Sequence, residues 1–233
     1  MSVDASEARR VAVVTGGSGA IGGAIVTRLA RRHDVVVLDR TSEIAVDLGD
    51  PDDVRRAAAL ILARHGRCDV LVYSAAMVAF GAFETYELEV WRQVQAVNVE
   101  SALLLTQAFA PGMRERGFGR VIYIVSNTFW QPAGVHQLSY VASKGALIGM
   151  VRALAHGLGG DGIAVTAVAP GLTRTPASAI VPAEEFADVA AHQALSRPLT
   201  PDDTAAVVEM LASDDAAALT GQTLTVDGGL VLR

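Results

Sequence analysis

The stretch Val11–Ile25, VAVVTGGSGAIGGAI, decides the fold. Val11–Thr15 is an unbroken apolar run of strand length, the pattern of a strand buried on both faces. It passes directly into a glycine-rich turn, Thr15–Gly22, and then into a helix expected to reach about Arg32. Backbone N–H groups in such a turn, with the positive end of a helix behind them, suit a pyrophosphate. Gly16 is expected to permit the turn and Gly22 to let the helix pack closely on the sheet. Ser18, Ala20 and the Ile21 amide are the expected phosphate contacts. A glycine pattern alone can be no more than a tight turn; its place after a first strand is what gives it weight.

The rest of the chain repeats the alternation. Apolar strands are expected at Asp34–Asp39, Ile44–Asp47, Cys68–Ala75, Arg120–Ser126, Ile163–Pro170 and Gln222–Val226. Helices are expected from Pro51, with Asp50 as N-cap, to about Arg64, over Glu87–Met113, through Tyr140 and Lys144 to about Leu158, and over Pro201–Ala212. Residues 171–198 read as irregular or short helix. Strands alternating with helices argue for an α/β fold, a doubly wound parallel sheet with helices on both faces. At 233 residues the chain suits one such domain, residues 1–233, with no linker or repeat to divide it.

Ligands of such sheets bind beyond the carboxyl ends of the strands, and the candidate groups gather there. Asp39 ends the second strand, where a carboxylate accepts bonds from both ribose hydroxyls and repels a 2′-phosphate. This favours NAD over NADP, although Arg40 beside it leaves NADP open. A simple turn aspartate is the alternative. Asp47 and Leu48 are placed to bracket the adenine. Ser74, Ala75 and Ala76 are small enough to let a flat cofactor lie against the backbone.

Tyr140 and Lys144 stand one helical turn apart on one face. An ammonium beside a phenol favours the phenolate, so the pair suits proton exchange with an alcohol or carbonyl. Lys144 is also the only lysine among the 19 Lys and Arg residues. Arginine, always protonated, does not substitute in that role. The bland alternative is a chance lysine on an exposed helix face.

Together these segments resemble the short-chain dehydrogenase/reductase family over essentially the whole chain. The resemblance implies a Rossmann-type, seven-stranded sheet, a homotetramer, and a Ser-Tyr-Lys centre assisted by an Asn. The matching positions are Ser126, Tyr140, Lys144 and Asn98, the last expected to position a water between Lys144 and solvent. Pro170 and Gly171 match the family's segment after the sixth strand, with Thr173 in the same cofactor-binding segment and Thr175 at the nicotinamide carboxamide. The chain departs from the pattern in three places: Ala20 replaces a loop glycine, Tyr73-Ser74-Ala75-Ala76 replaces Asn-Asn-Ala-Gly, and Ser126 lies fourteen rather than thirteen residues before Tyr140. Strict counting selects Asn127; Ser126 is preferred because it ends the strand.

The implied reaction moves a hydride between NAD and a secondary alcohol or ketone. Met77, Val78, Asn127, Phe129, Trp130, Leu138 and the segment Leu172–Leu195 are expected to line the substrate pocket. Phe129 and Trp130 either stack on a ring or pack on neighbouring structure. The sequence SNTFW and the ending DGGLVLR are similar to NAD-dependent groups of the (S)-1-phenylethanol dehydrogenase and pyridoxal 4-dehydrogenase types, which implies a cyclic or aromatic substrate. A biosynthetic ketoreductase on a larger substrate and an NAD(P)-binding sensor without turnover remain open. Epimerases and dehydratases of the fold carry a larger C-terminal domain, for which the sequence after the last strand leaves little room. His136 reads as exposed and inert. Leu103, Phe109, Leu147 and Val151 face either a partner subunit or the sheet.

The bulk properties fit this reading. A net charge of −6 gives no basic footprint for nucleic acid. No apolar run spans a bilayer, the lone Cys68 forms no disulfide framework within the chain, and the first ten residues lack a signal-peptide core. No metal site is expected, and a cytoplasmic location is.

Overall fold

The computed structural model describes residues 9–179 and 181–232. In it β1 (Arg10–Thr15), β2 (His33–Asp39), β3 (Ile44–Ala45), β4 (Val70–Tyr73), β5 (Gly119–Ile124), β6 (Ile163–Pro170) and β7 (Thr223–Val226) form one sheet. The strand order is β3-β2-β1-β4-β5-β6-β7, every pair parallel. Growth of the sheet reverses between β1 and β4, and the crevice of a doubly wound sheet opens at that point.

Seven α-helices cover the two faces: α1 (Ala20–Leu29), α2 (Pro51–His65), α3 (Leu88–Gln95), α4 (Ser101–Arg116), α5 (Leu138–Leu158), α6 (Ala183–His192) and α7 (Pro201–Leu211), counted among the described residues. Alternate residues of each strand point to opposite layers. Val13, Leu71 and Val121 pack with Val54, Ile61, Phe109, Leu147 and Val151. Val14, Val72 and Ile122 pack with Ile25, Leu29, Val208 and Leu211. Phe109, Leu147 and Val151 therefore face the sheet, whereas Leu103 is exposed. No helix among the described residues is long and apolar enough to cross a membrane.

Boundaries differ from the sequence pattern for identifiable reasons. Helix α1 stops at Leu29, short of Arg32, because His33 already pairs with Arg10 as the first residue of β2. Strand β4 is trimmed at both ends. Before it, the Asp69 carboxylate receives the Val11 amide and the Arg67 and Arg116 guanidiniums. After it, the Ser74 and Ala75 amides leave the ladder for the Thr15 hydroxyl, at 3.0 and 3.1 Å. The expected long helix from Glu87 is present and runs on to Arg116, but a π-helical turn at Ala96–Glu100 interrupts it. Such turns often mark functional sites, and this one holds Asn98. At α2 the expectation is met: Asp50 accepts the Asp52 and Asp53 amides, and Pro51 takes the first turn.

Candidate active site

The glycine turn closes as steric rules require. Gly16 has φ +68°, and a Cβ on it would sit 2.8 Å from the Ala75 Cα. A Cβ on Gly22 would come within 2.1 Å of the Gly16 carbonyl oxygen, so α1 packs where only glycine fits. Ala20 opens α1 without disturbing it. The N-cap, Gly19, offers no side chain to the first-turn amides, and no acidic residue stands in that turn. The helix end is thus open and unopposed toward an anion, as a pyrophosphate site demands. Ser18 differs from expectation, since its amide donates to Asp39 Oδ2 at 3.1 Å. Asp39 also accepts the amide of the exposed Arg40 at 2.7 Å, so the carboxylate is held against the loop. Asp47 accepts the Gly49 amide, and half-buried Leu48 packs on the core.

Across the crevice, β5 and α5 bring the hydroxyl, phenol and ammonium together. Lys144 is 1% exposed, donates to the Ile124 carbonyl at 2.7 Å, and lies 5.4 Å from the Tyr140 ring centroid. Burial pulls its pKa down to about 7. Burial likewise raises that of Tyr140, opposed by a side-chain hydrogen bond with Ser126. The expected lowering of the phenol by Lys144 is therefore corrected. Desolvation dominates both groups, and it works against the charged form of each. Ser126 also accepts from the Thr128 amide and hydroxyl.

Asn98 is fully buried. Its Oδ1 accepts the Met77 amide at 2.7 Å, and its Nδ2 donates to the Met77 carbonyl at 3.0 Å and to Ser143 Oγ at 2.9 Å. Ser143 in turn donates to the Tyr140 carbonyl at 2.7 Å. The side chain thus clamps the strand-end peptide to α5. Ser143 and Thr15 escaped the sequence reading because a hydroxyl in a strand or helix looks like any other until its partner is known.

The substrate-side residues divide. Trp130 packs on the core and edge-on to Phe129, ring centroids 5.1 Å apart. Phe129 lies over Gly145, where an added Cβ would meet its ring at 2.8 Å. Trp130 packs as the second alternative had it, whereas Phe129 keeps part of its ring exposed. Asn127 is buried and donates to Asp227 at 3.3 Å, so it too leaves the pocket. Met77 and Leu138 are half-buried, and Val78 is exposed, as is nearby Phe80. His136, exposed as expected, stacks on Phe80 with centroids 5.8 Å apart, and its carbonyl accepts the Gly81 amide at 3.2 Å. Val78, Phe80, Phe83 and Val135 are exposed apolar side chains on the segments that follow β4 and precede α5.

Beyond β6, Pro170 is buried and Gly171 lies where a Cβ would strike Asp227. Thr173 donates to the Gly171 carbonyl. The Thr175 hydroxyl accepts the Ser178 amide at 3.1 Å, capping the short turn Pro176–Ser178 instead of standing free for a carboxamide. Between this segment and α6 lies an open cleft of about 440 Å³ lined by Arg174, Thr175, Phe186 and neighbours. Ile180, within the expected Leu172–Leu195 lining, lies outside the described residues, as do the first eight residues. Among the described residues no group of three or more His, Cys, Asp or Glu could hold a metal.

The comparisons agree with this geometry. A family model described as enoyl-(acyl carrier protein) reductase matches residues 8–231. Dehydrogenase/reductase SDR family member 4 of Bos taurus is 33% identical over 94% of this chain and 86% of its own. A granaticin polyketide synthase protein of Streptomyces violaceoruber, provisionally named ketoacyl reductase 1, is 33% identical over 96% of this chain and 93% of its own. A crystal structure from Beutenbergia cavernae, provisionally named NAD(P)-dependent gluconate 5-dehydrogenase and containing NADP at low occupancy, superposes with a TM-score of 0.89. It is 35% identical and covers 95% of this chain and 96% of its own. The chain belongs to the short-chain dehydrogenase/reductase family of oxidoreductases.

Proposed function

We propose that this protein transfers a hydride between NAD and an apolar, cyclic or aromatic secondary alcohol or its ketone. The observation that carries the reading is the meeting of Ser126, Tyr140 and Lys144 at the carboxyl ends of the strands, opposite an open phosphate turn. Bound nicotinamide supplies the hydride acceptor or donor. The chain's own groups do the rest. Tyr140 Oη takes the alcohol proton in oxidation and returns it in reduction. Ser126 Oγ donates to the substrate oxygen as negative charge develops there. Lys144 Nζ holds the nicotinamide ribose, and it regains its proton once the phenolate forms beside it.

Asp39, fixed beside the loop, supports NAD over NADP through like-charge repulsion of a 2′-phosphate. The NADP in the Beutenbergia structure belongs to that protein, and the preference here rests on Asp39. Exposed apolar side chains at Val78, Phe80, Phe83 and Val135, between β4 and α5, support a substrate of the phenylethanol or pyridoxal type over a sugar acid. Similarity to the granaticin reductase supports a second reading, a biosynthetic ketoreductase on a larger carbonyl compound. A sensor without turnover has less support, because Tyr140 and Lys144 are both present and in contact. A homotetramer built on α4 and α5, acting in the cytoplasm, is what the family membership supports for assembly and location.

The test is NADH formation from NAD or NADP across a panel of secondary alcohols, and NADH consumption with the ketones. Aryl carbinols with NAD are expected to give the highest rates. Silence across the panel with NAD binding intact would mean a sensor.

A further inference from the structure

Asp227 is a buried carboxylate, 2% exposed, at the carboxyl end of β7. Ion pairs involving it are absent among the described residues, and its partners are N–H donors. Oδ1 accepts the Gly229 and Leu230 amides at 3.1 and 3.2 Å. Oδ2 accepts the Val231 amide at 3.0 Å and Asn127 Nδ2 at 3.3 Å. Three amides are enough to turn the chain at Asp227-Gly228-Gly229. The fourth partner is not local: it comes from the residue directly after Ser126, a hundred positions earlier.

Asp227 also packs on the next strand end. A Cβ at Gly171 would lie 2.7 Å from the Asp227 Cβ, and the Gly171 amide donates to the Val226 carbonyl at 3.0 Å. One side chain therefore touches the loops that leave β5, β6 and β7. Asn127 is 6% exposed and has no local partner that would hold its amide in the same place. With the Asn127 side chain drawn toward β7, Ser126 is left with φ −158° and ψ 148°, extended, just beyond the end of β5.

We infer that Asn127 and Asp227 are positioning residues: their hydrogen bond sets the turn after β5 so that Ser126 Oγ meets Tyr140 Oη. The inference rests on the proposed Ser-Tyr-Lys chemistry and deepens it. It also accounts for the spacing of fourteen residues between Ser126 and Tyr140. The position that strict counting selects is filled by Asn127, whose amide is committed to the end of β7, and the extra residue is absorbed in the loop before α5.

The test compares four proteins: wild type, Ser126→Ala, Asn127→Asp, and the exchange Asn127→Asp with Asp227→Asn. For each, kcat, KM and the NADH dissociation constant are measured. Asn127→Asp sets two carboxylates against each other and is expected to lower kcat roughly 10- to 100-fold, the scale of an ångström-level misplacement, with NADH affinity within about twofold of wild type on the same argument. The exchange restores a donor facing a carboxylate, with the amide now at 227 and Gly229 and Leu230 still bonded to its oxygen; the Val231 amide loses its acceptor, so recovery is partial. It is expected to recover kcat about fivefold or more over the single variant, a coupling that two independent structural defects would not give. Unchanged kcat in Asn127→Asp, or an exchange no better than the single variant, overturns the positioning role. Full activity in Ser126→Ala removes the chemistry beneath it and is a separate result.

Discussion

The two ends of the sheet each bury a charged group, and they treat it oppositely. At the amino ends of the strands, Asp69 is fully buried between Arg67 and Arg116 and accepts the Val11 amide. Burial opposes its charge, but the bond from Arg67, the Val11 amide and the Arg116 charge outweigh it and hold its pKa below the usual carboxylate range. At the carboxyl ends, Lys144 is just as buried, yet among the described residues it hydrogen-bonds a carbonyl oxygen beside the Tyr140 ring and pairs with no carboxylate, and its pKa falls to about 7. One end satisfies its charge and gains stability. The other leaves a charge unsatisfied, which costs stability and leaves a group ready to respond to a bound cofactor and substrate.

The contrast can be broken most severely at Tyr140. Tyr140→Phe removes only the proton carrier, and turnover is expected to fall by about 10²- to 10⁴-fold with NAD affinity nearly unchanged, as read by steady-state rates and fluorescence titration. At the other end, Asp69→Asn is expected to leave kcat alone and lower stability by about 3 kcal/mol, the low end for breaking a buried pair because both arginines are partly exposed. Urea unfolding across pH would check it. The Asp69 contribution is present above the ordinary carboxylate pKa and fades as pH falls through the depressed value, so variant and wild type converge in acid.

Gly22→Ala tests the crevice between those extremes. The added methyl meets a backbone oxygen at 2.1 Å, so the turn must open, with a stability loss of about 1–3 kcal/mol and weaker NAD binding measured by titration. The smallest stability effect has the opposite sign. Lys144→Met is expected to abolish turnover yet raise stability by about 1 kcal/mol at pH 6. The wild-type protein sheds the proton between pH about 7 and the ordinary 10.5, so the unfolded state binds more protons there and wild-type stability climbs with pH. The gap measured by thermal unfolding should close toward about pH 10.

The alternation of strands and helices, the glycine turn and the Tyr140–Lys144 face were legible because each is a local pattern. A buried strand is a run of Val, Ile and Ala; a turn that admits only glycine contains glycine; a four-residue interval is one helical turn. What was not legible depends on partners distant in sequence. Nothing near Asn127 announces that its amide is taken by Asp227, and FW after a strand reads the same whether the rings meet a substrate or, as here, Gly145 and the core. The tyrosine's raised pKa was hidden for the same reason. The spacing shows a lysine nearby, but not that burial strips that lysine of much of its charge.

The most direct test is a crystal structure with NAD bound. The account predicts the pyrophosphate on the turn Gly16–Gly22, the adenosine ribose hydroxyls on Asp39, and the nicotinamide beneath Tyr140 Oη with Lys144 Nζ on its ribose. A dinucleotide bound elsewhere, or a Tyr140 hydroxyl turned away from the nicotinamide, would contradict it.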